Sequence, residues 1–326
     1  MNKNKSRFVK HILCAAVVAV MAAPAMAELS FDANIELNTD ATDTETTDTT
    51  YDQDGRVEVN AFGRHEKGNY FVQARGTVLL KTDGDTAVDD AWIQFGDSTW
   101  DVQAGRFEAV NLFPKGKDTL ISHAGGVSVY EANLARGRVG DGGGQFALHL
   151  NSSENLRFEL GTIFGDGETT DGDDTTAFGG VRPTVTWSSG DFSLTAGYER
   201  VNYDLTAGGD VDKQGYALTS SFKAGGADVN LAVSHLEDDS TGADEEVTSY
   251  IANMIYGNFG AGLIYSEDEL AGVDSDVTTA YLAYTVPLFD FENASVTFAG
   301  SFSQADGDAV TDDTTNALRM RFNYTF

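Results

Sequence analysis

The residues best able to do chemistry in this chain are charged side chains gathered in one stretch, and arginines strung along alternating positions elsewhere. Between residues 107 and 143 lie Glu108, Lys115, Lys117, Asp118, Glu131, Arg136 and Arg138, with Arg106 just ahead of them. Outside that stretch Arg56, Arg64, Arg75, Arg157, Arg182, Arg319 and Arg321 fall on the polar parity of segments that alternate apolar and polar residues. Carboxylates on one side of a gap and guanidinium groups on the other make a transverse field, which orders water and disfavours apolar solutes. Such chemistry sorts solutes and breaks no bonds. His65, His123, His149 and His235 have no nucleophile motif around them. Ser122 and His123 are adjacent, and a nucleophile and its base need to face one another within hydrogen-bond reach. Catalysis is not expected.

The elements that must position these charges have period two. From Thr314 to the end, Leu318, Met320, Phe322, Tyr324 and Phe326 share one face, while Arg319, Arg321, Asn323 and Thr325 share the other. Similar segments lie near 28–38, 55–65, 69–81, 87–97, 100–106, 144–151, 155–164 and 178–188. Others lie near 191–203, 213–224, 227–236, 247–257, 258–267, 277–287 and 292–303. Most have about the ten residues a tilted strand needs to cross the apolar part of a bilayer. The pattern predicts an all-β fold, a closed 16-stranded antiparallel transmembrane β-barrel with its apolar parity toward lipid. Turning the arginines outward would cost roughly 2–4 kcal/mol each at the midplane, so their shared parity supports the assignment. A barrel of this size leaves an aqueous channel, and permeation is its default function.

The N-terminus reads as an export signal. Lys3, Lys5, Arg7 and Lys10 precede the short apolar run Ile12 to Ala23, and Ala25-Met26-Ala27 makes a cleavage site. The expected division is a signal peptide over 1–27, cut after Ala27, and one barrel domain over 28–326. The single cysteine, Cys14, falls in the signal, so the mature chain relies on no disulfide. The formal net charge is −30, which argues against nucleic acid as a partner. It fits solubility or a saline habitat, divalent-cation bridging at a surface, or cation steering into a pore.

Connections alternate between tight turns and longer acidic loops, the latter near 39–54, 82–86, 107–143, 165–177, 204–212, 237–246, 268–276 and 304–313. Such asymmetry is what outer-membrane barrels show. Clustered carboxylates are hard-cation ligands, so weak Ca²⁺ or Mg²⁺ binding at the outer loops is an expectation, bridging to lipopolysaccharide phosphates; no other cofactor is expected. Asp52-Gln53-Asp54-Gly55 resembles half of a calcium loop, but the bidentate Glu at the right distance is missing. Tyr70, Trp100, Trp187, Phe192, Tyr256, Phe259, Tyr284, Phe322, Tyr324 and Phe326 gather near the turns on the lipid parity, as an interfacial girdle would. The long third loop, 107–143, carries enough apolar residues to pack, and is expected to fold into the barrel as its constriction. Its alternative is a lobe over the barrel mouth. Phe62, Phe71, Trp92 and Tyr281 have lumen parity and are candidate sugar contacts, although Trp92 could instead pack on the inserted loop. Strict alternation from Trp100 turns Arg106 outward, so a bulge or strand end must rotate it inward.

Trp92-Ile93-Gln94-Phe95, then Val102 to Glu108, running into Asn111-Leu112-Phe113-Pro114, resembles the start of the constriction loop of Gram-negative porins. The terminal Phe322-Asn323-Tyr324-Thr325-Phe326 resembles the porin assembly signal. With Ala135-Arg136-Gly137-Arg138, the chain is most similar to the raffinose-type glycoporins. The resemblance implies passive diffusion of small hydrophilic solutes, oligosaccharides foremost, across the outer membrane. It also implies a homotrimer among lipid and lipopolysaccharide, inserted by the barrel-assembly machinery through Phe326. Arg106 and Glu108 match the start of the loop and become its leading constriction residues. A general cation-preferring diffusion porin and a structural or adhesive barrel remain the alternatives.

Overall fold

The computed structural model describes residues 28–326 apart from 118, 140–142, 169–173, 207 and 309, with backbone only for 28, 166–168 and 174–178. The signal peptide, Asp118 and part of the 165–177 loop therefore lie outside the described residues.

The described strands are β1 (Glu28–Thr44), β2 (Thr50–Lys67), β3 (Tyr70–Lys81), β4 (Thr86–Gly96), β5 (Trp100–Arg106) and β6 (Gly143–Ser153). Next come β7 (Leu156–Glu168), β8 (Asp174–Ser189), β9 (Phe192–Asp204), β10 (Asp210–Ala224) and β11 (Ala227–Asp238). The chain ends with β12 (Glu245–Tyr256), β13 (Phe259–Leu270), β14 (Val273–Leu288), β15 (Phe291–Gly307) and β16 (Thr314–Thr325). Each pairs antiparallel with its sequence neighbours, and β1 pairs with β16 to close the ring. Closure uses the last residue: Phe326 N–H donates to Ala33 O at 2.8 Å and Ala33 N–H returns a bond to Phe326 O at 2.9 Å. No strand edge is left open, as a sheet in hydrocarbon requires.

The two parities separate cleanly. Val72, Ile93, Leu148, Leu160, Leu218, Leu231, Met254, Leu263, Leu282, Phe298 and Leu318 are exposed on the outer face. Their neighbours along each strand point inward, among them Ala217, Ser249, Ile264, Thr279 and Ala317, which are buried. Near the turn ends Trp187 and Phe192 tilt together at 5.9 Å, and Tyr324 stacks on Phe326 at 5.6 Å.

The acidic connections are shorter than the sequence pattern implied. The 39–54 segment is mostly strand, since β1 runs on to Thr44 and β2 starts at Thr50. Likewise β13 and β14 leave only 271–272 between them, and β11 and β12 only 239–244. Threonine, β-branched, favours extended backbone. Cross-strand partners absorb the acids: Asp40 pairs with Arg319 at 2.5 Å, and Asn38 donates to Asp54 at 2.6 Å. Asp52 to Gly55 thus form paired strand, not a calcium loop. The exception is 107–142. Its limbs are zipped at the base, where Ala109 N–H meets Arg136 O at 2.7 Å and Arg138 N–H meets Phe107 O at 2.9 Å.

Because the outer parity faces hydrocarbon, Leu263→Arg in the middle of β13 should destabilise the folded barrel by about 2–4 kcal/mol. Denaturant titration of protein folded into lipid vesicles measures this; the inward, loop-covered neighbour Ile264→Val should cost only about 0.5–1.5 kcal/mol.

Candidate functional site

The third loop is seated on one half of the inner wall. Leu112, Tyr130 and Ala132 pack against Ala217, Leu236 and Val247. Phe113 joins Ala232, Ile251, Ile264 and Tyr281, while Ala124 and Val127 join Val277 and Ala305. Ala135 meets Ile163 and Val201. All these strand residues have inward parity, on β7 and on β9 to β15. A segment without regular structure leaves its backbone groups unpaired, and burial makes that costly. Here wall hydroxyls supply partners. Ser234 Oγ donates to Tyr130 O at 2.6 Å, and Tyr130 N–H donates to Ser249 Oγ at 2.9 Å. Ser266 Oγ donates to Ser128 O at 2.7 Å, Ala124 N–H donates to Ser303 Oγ at 2.8 Å, and Thr219 Oγ1 donates to Leu112 O. Close approach also needs small wall residues: a Cβ at Gly215 would lie 2.1 Å from the Tyr130 hydroxyl, and one at Gly197 2.4 Å from Leu112. The expected alternative, a lobe over the mouth, is not what these contacts describe.

The opposite half of the wall, β16 and β1 to β4, carries large charged side chains that the loop does not bury. Arg56 sits 3.3 Å from Glu36 and 3.7 Å from Glu58. Arg75 lies 3.8 Å from Glu58 and 3.6 Å from Asp90, and bonds Asn60 at 2.8 Å. Arg321 donates to Asn38 at 2.7 Å and lies 3.9 Å from Glu36. Arg64 pairs with Glu66 at 2.8 Å and covers the Phe71 ring at 4.2 Å. The side chains of Arg56, Arg64 and Arg75 stay 37–42% exposed, so they reach water in the bore.

A β-bulge adds a carboxylate that strict alternation hides, Asp89, beside Asp90, which alternation already turns inward. Between β3 and β4 the register jumps from Gly76↔Ala91 to Val78↔Val88, so Thr77 alone faces both Asp89 and Asp90. The extra residue keeps Val88 outward and turns both acids toward the loop. Arg138 meets them there, 2.7 Å from Asp89 and 3.5 Å from Asp90, and lies 3.7 Å from Glu108. Arg136 completes the group at 3.1 Å from Glu108.

Several sequence-predicted residues fall elsewhere. Arg106 makes its contacts to main-chain carbonyls: Val88 and Asp89 at 3.0 Å each, Val139 at 3.0 Å, and Arg138. It braces the start of β4 to the returning limb of the loop, beside Gly105, whose φ of 118° and closeness to Ala91 exclude a side chain. Arg182 is no water-facing wall residue, since its side chain is 0% exposed. Tyr281 is buried under the loop and donates to Lys115 O at 2.9 Å, so no passing solute can reach it. Phe71 is already covered by Arg64. Lys115 and Glu131 pair with each other at 2.5 Å on the loop, and the Lys117 stem lies over Gly260. Arg157 is exposed on the inward parity near the 154–155 turn. Phe62 and Trp92 meet edge-on at 6.4 Å, which gives the indole a ring partner on the wall. The expected separation of loop acids from an arginine wall is replaced by interleaving, with both signs on both sides. Charges of one sign cannot be stacked along neighbouring strands without repulsion, and cross-strand pairing relieves it.

A polar belt runs beneath these groups, of which the sequence reading singled out Arg64 as a lumen residue but not Gln94, Asp101 or His149. Arg64 bonds Gln73 at 2.5 Å, Gln73 bonds Gln94 at 2.6 Å, and Gln94 bonds Asp101 at 2.6 Å. Asp101 and Glu159 hold His149 between them at 2.5 and 3.1 Å. The belt's residues share inward parity on β2 to β7, a signal present in the alternation. His123, in the loop, bonds Thr279 at 2.8 Å. Burial, reinforced by the Lys115 cation, holds its imidazole below the usual range. Among the described residues, no group of three or more His, Cys, Asp or Glu side chains is placed to hold a metal ion.

A family model described as porin-like glycoporin RafY matches residues 17–326. No curated protein matches the chain significantly. Of the solved structures, the outer membrane channel DcaP of Acinetobacter baumannii superposes with a TM-score of 0.71 at 13% identity, over 93% of this chain and 99% of that one. OmpT of Vibrio cholerae superposes with 0.68 at 15% identity, over 92% and 99%. An anion-selective porin from Comamonas acidovorans gives 0.68 at 11% identity, over 92% and 100%. At such identities the likeness carries the fold, while the family match spans nearly the whole chain. The chain therefore belongs to the porin-like glycoporin RafY family, and is an outer-membrane channel protein.

Proposed function

We propose that the solutes this channel passes are small carbohydrates, diffusing without energy input through the space between the third loop and the β16–β1–β4 wall. The observation that carries the proposal is the surface around Trp92. Phe62 and Trp92 are half-buried and edge-on at 6.4 Å. Arg75 sits across the β3–β4 pair from Trp92 and across the β2–β3 pair from Phe62. Gln73 and Gln94 flank them one step along, and Asp90 one step the other way. Flat rings accept the apolar face of a pyranose, while planar amide, guanidinium and carboxylate groups bond its hydroxyls. The constriction on this reading comprises Glu108, Arg136 and Arg138 from the loop and Asp89, Asp90 and Arg75 from the wall. Membership of a family described as glycoporin supports the sugar class. A homotrimer is proposed as well, supported by the OmpT neighbour, which is described as a trimer form. Phe326, exposed at the free end of the chain, is the proposed mark for the insertion machinery.

Blocking of single-channel current by raffinose- or maltose-type oligosaccharides tests the sugar reading. Wild-type channels should block transiently, and Trp92→Ala should weaken the apparent affinity roughly three- to tenfold, the loss of about 0.5–1.5 kcal/mol of ring contact. Open channels indifferent to sugar in the wild type would leave a general diffusion porin, and folded protein that never conducts would promote the structural alternative.

The acidic inward residues of the wide mouth, Asp40, Asp52 and Asp54 among them, favour cations ahead of the neck. Reversal potentials under a KCl gradient should accordingly show cation preference. Asp89→Asn with Asp90→Asn should move the potential toward the anion side, because Arg138 then lacks its nearest carboxylates. An anion-preferring wild type would contradict this.

A further inference from the structure

We propose that Arg182, gripped by Glu159 and Glu199, is the positioning residue that fixes how far the third loop stands from the open wall, and thereby sets the width of the bore. The inference rests on the diffusion reading and concerns a residue that no solute touches. Arg182 lies on β8 with inward parity and is fully buried. Its Nη2 donates to Val110 O at 2.9 Å on the outgoing limb of the loop and to Ala132 O at 3.2 Å on the returning limb. Its Nε donates to Glu199 Oε2 at 3.2 Å, and Nη1 lies 3.8 Å from Glu159 Oε1.

The two carboxylates extend the grip from either side. Glu159, on β7, accepts the Val110 N–H at 3.1 Å. Glu199, on β9, accepts the Leu134 N–H at 2.9 Å, the Ala135 N–H at 3.1 Å and the Tyr130 hydroxyl at 2.5 Å. Burial and the Glu199 charge push the Tyr130 phenol above its ordinary range, so it stays a donor. Three charged side chains on three adjacent strands thus hold both limbs of the loop at one place. His149 backs the group by bonding Glu159 at 3.1 Å.

This place differs in kind from the rest of the seat. Elsewhere along β10 to β15 each wall side chain makes a single bond with the loop, whether a hydroxyl such as Ser234, the Asn253 amide, the Tyr281 phenol or the Asp268 and Glu245 carboxylates, with apolar contacts between them. Charge-assisted bonds in a dry site are stronger and geometrically stricter. Only a planar guanidinium can bond two carbonyls and a carboxylate in one fork, which a lysine ammonium cannot reproduce. Removing it leaves Glu159 and Glu199 buried with no cation between them, and their repulsion falls on both limbs together.

Three variants, Arg182→Ala, Glu199→Gln and Tyr130→Phe, test the proposal, each checked for heat-modifiable migration as folded barrel before planar-bilayer recording. The Arg182→Ala protein should conduct about twofold more per open channel, with frequent partial closures, and should pass oligosaccharides the wild type excludes. Glu199→Gln and Tyr130→Phe should shift both quantities the same way by less. Guanidinium ion added at millimolar concentration should return the Arg182→Ala conductance toward wild type relative to the same addition on wild-type channels, whereas urea should not. Unchanged conductance and exclusion limit in folded Arg182→Ala channels would overturn the proposal. If that variant fails to insert, unchanged values in both Glu199→Gln and Tyr130→Phe would overturn it instead. A wild type that never conducts would mark failure of the diffusion reading itself, since the positioning test is read only against open wild-type channels.

Discussion

Every backbone N–H and C=O removed from water needs a partner, and this requirement organises the molecule at two levels. In the wall it is met by closing the sheet, down to the reciprocal bonds of Phe326 with Ala33. Inside, a long loop without ladder partners meets it through hydroxyls. Ser234, Ser249, Ser266, Thr219 and Ser303 face inward because short side chains leave room for a second layer of backbone. The half of the wall that receives the loop therefore carries many small residues and hydroxyls, with Arg182, Glu159 and Glu199 as its charged exception. The other half, with no loop to receive, is free to carry arginines, carboxylates and aromatic rings. An asymmetric bore follows from a hydrogen-bonding requirement.

Charge in that bore is interleaved. Each arginine of the open wall has a carboxylate or amide within reach, and the loop's cations Arg136 and Arg138 meet acids of both loop and wall. Pairs of this kind, partly wet, contribute little to stability individually. Their value lies in holding long side chains at fixed positions along a solute's path. The β4 bulge matters for the same reason: one extra residue converts an alternating acid into two adjacent ones, placed where Arg138 arrives.

Much of the architecture was legible in the sequence. Strand number and antiparallel closure follow from period two, because lipid on one side and water on the other impose a strict alternation. Strand ends were less legible. Thr-rich acidic tips read as loops, yet Asp40 and Asp54 find cross-strand partners and the strands continue through them. Site residues split along a similar line. Arg56, Arg64 and Arg75 stay partly exposed on the inward parity, while Arg182 does not. Parity cannot tell which inward residues the loop will cover. Arg182 and Tyr281 share the parity of Arg75 and Trp92, and differ only in lying beneath the loop. Arg106 escaped for another reason, since a glycine at the strand end turns the chain and gives its guanidinium four carbonyls. The small inward residues Gly197, Gly215 and Ser249 were the available clue to the covered half.

The division of the lumen into a wet half and a loop-covered half is the claim on which the functional reading stands. Because the only cysteine in the chain is Cys14, single cysteines introduced on the inner wall report without background once that segment is removed. Glu58→Cys on β2 and Ser249→Cys on β12 would be exposed to a charged, membrane-impermeant thiol reagent while current through open channels is recorded. Rapid modification with a stepwise fall in current at Glu58→Cys, and none at Ser249→Cys, is the predicted result. Equal reaction at both positions, or reaction only at Ser249→Cys, would contradict it.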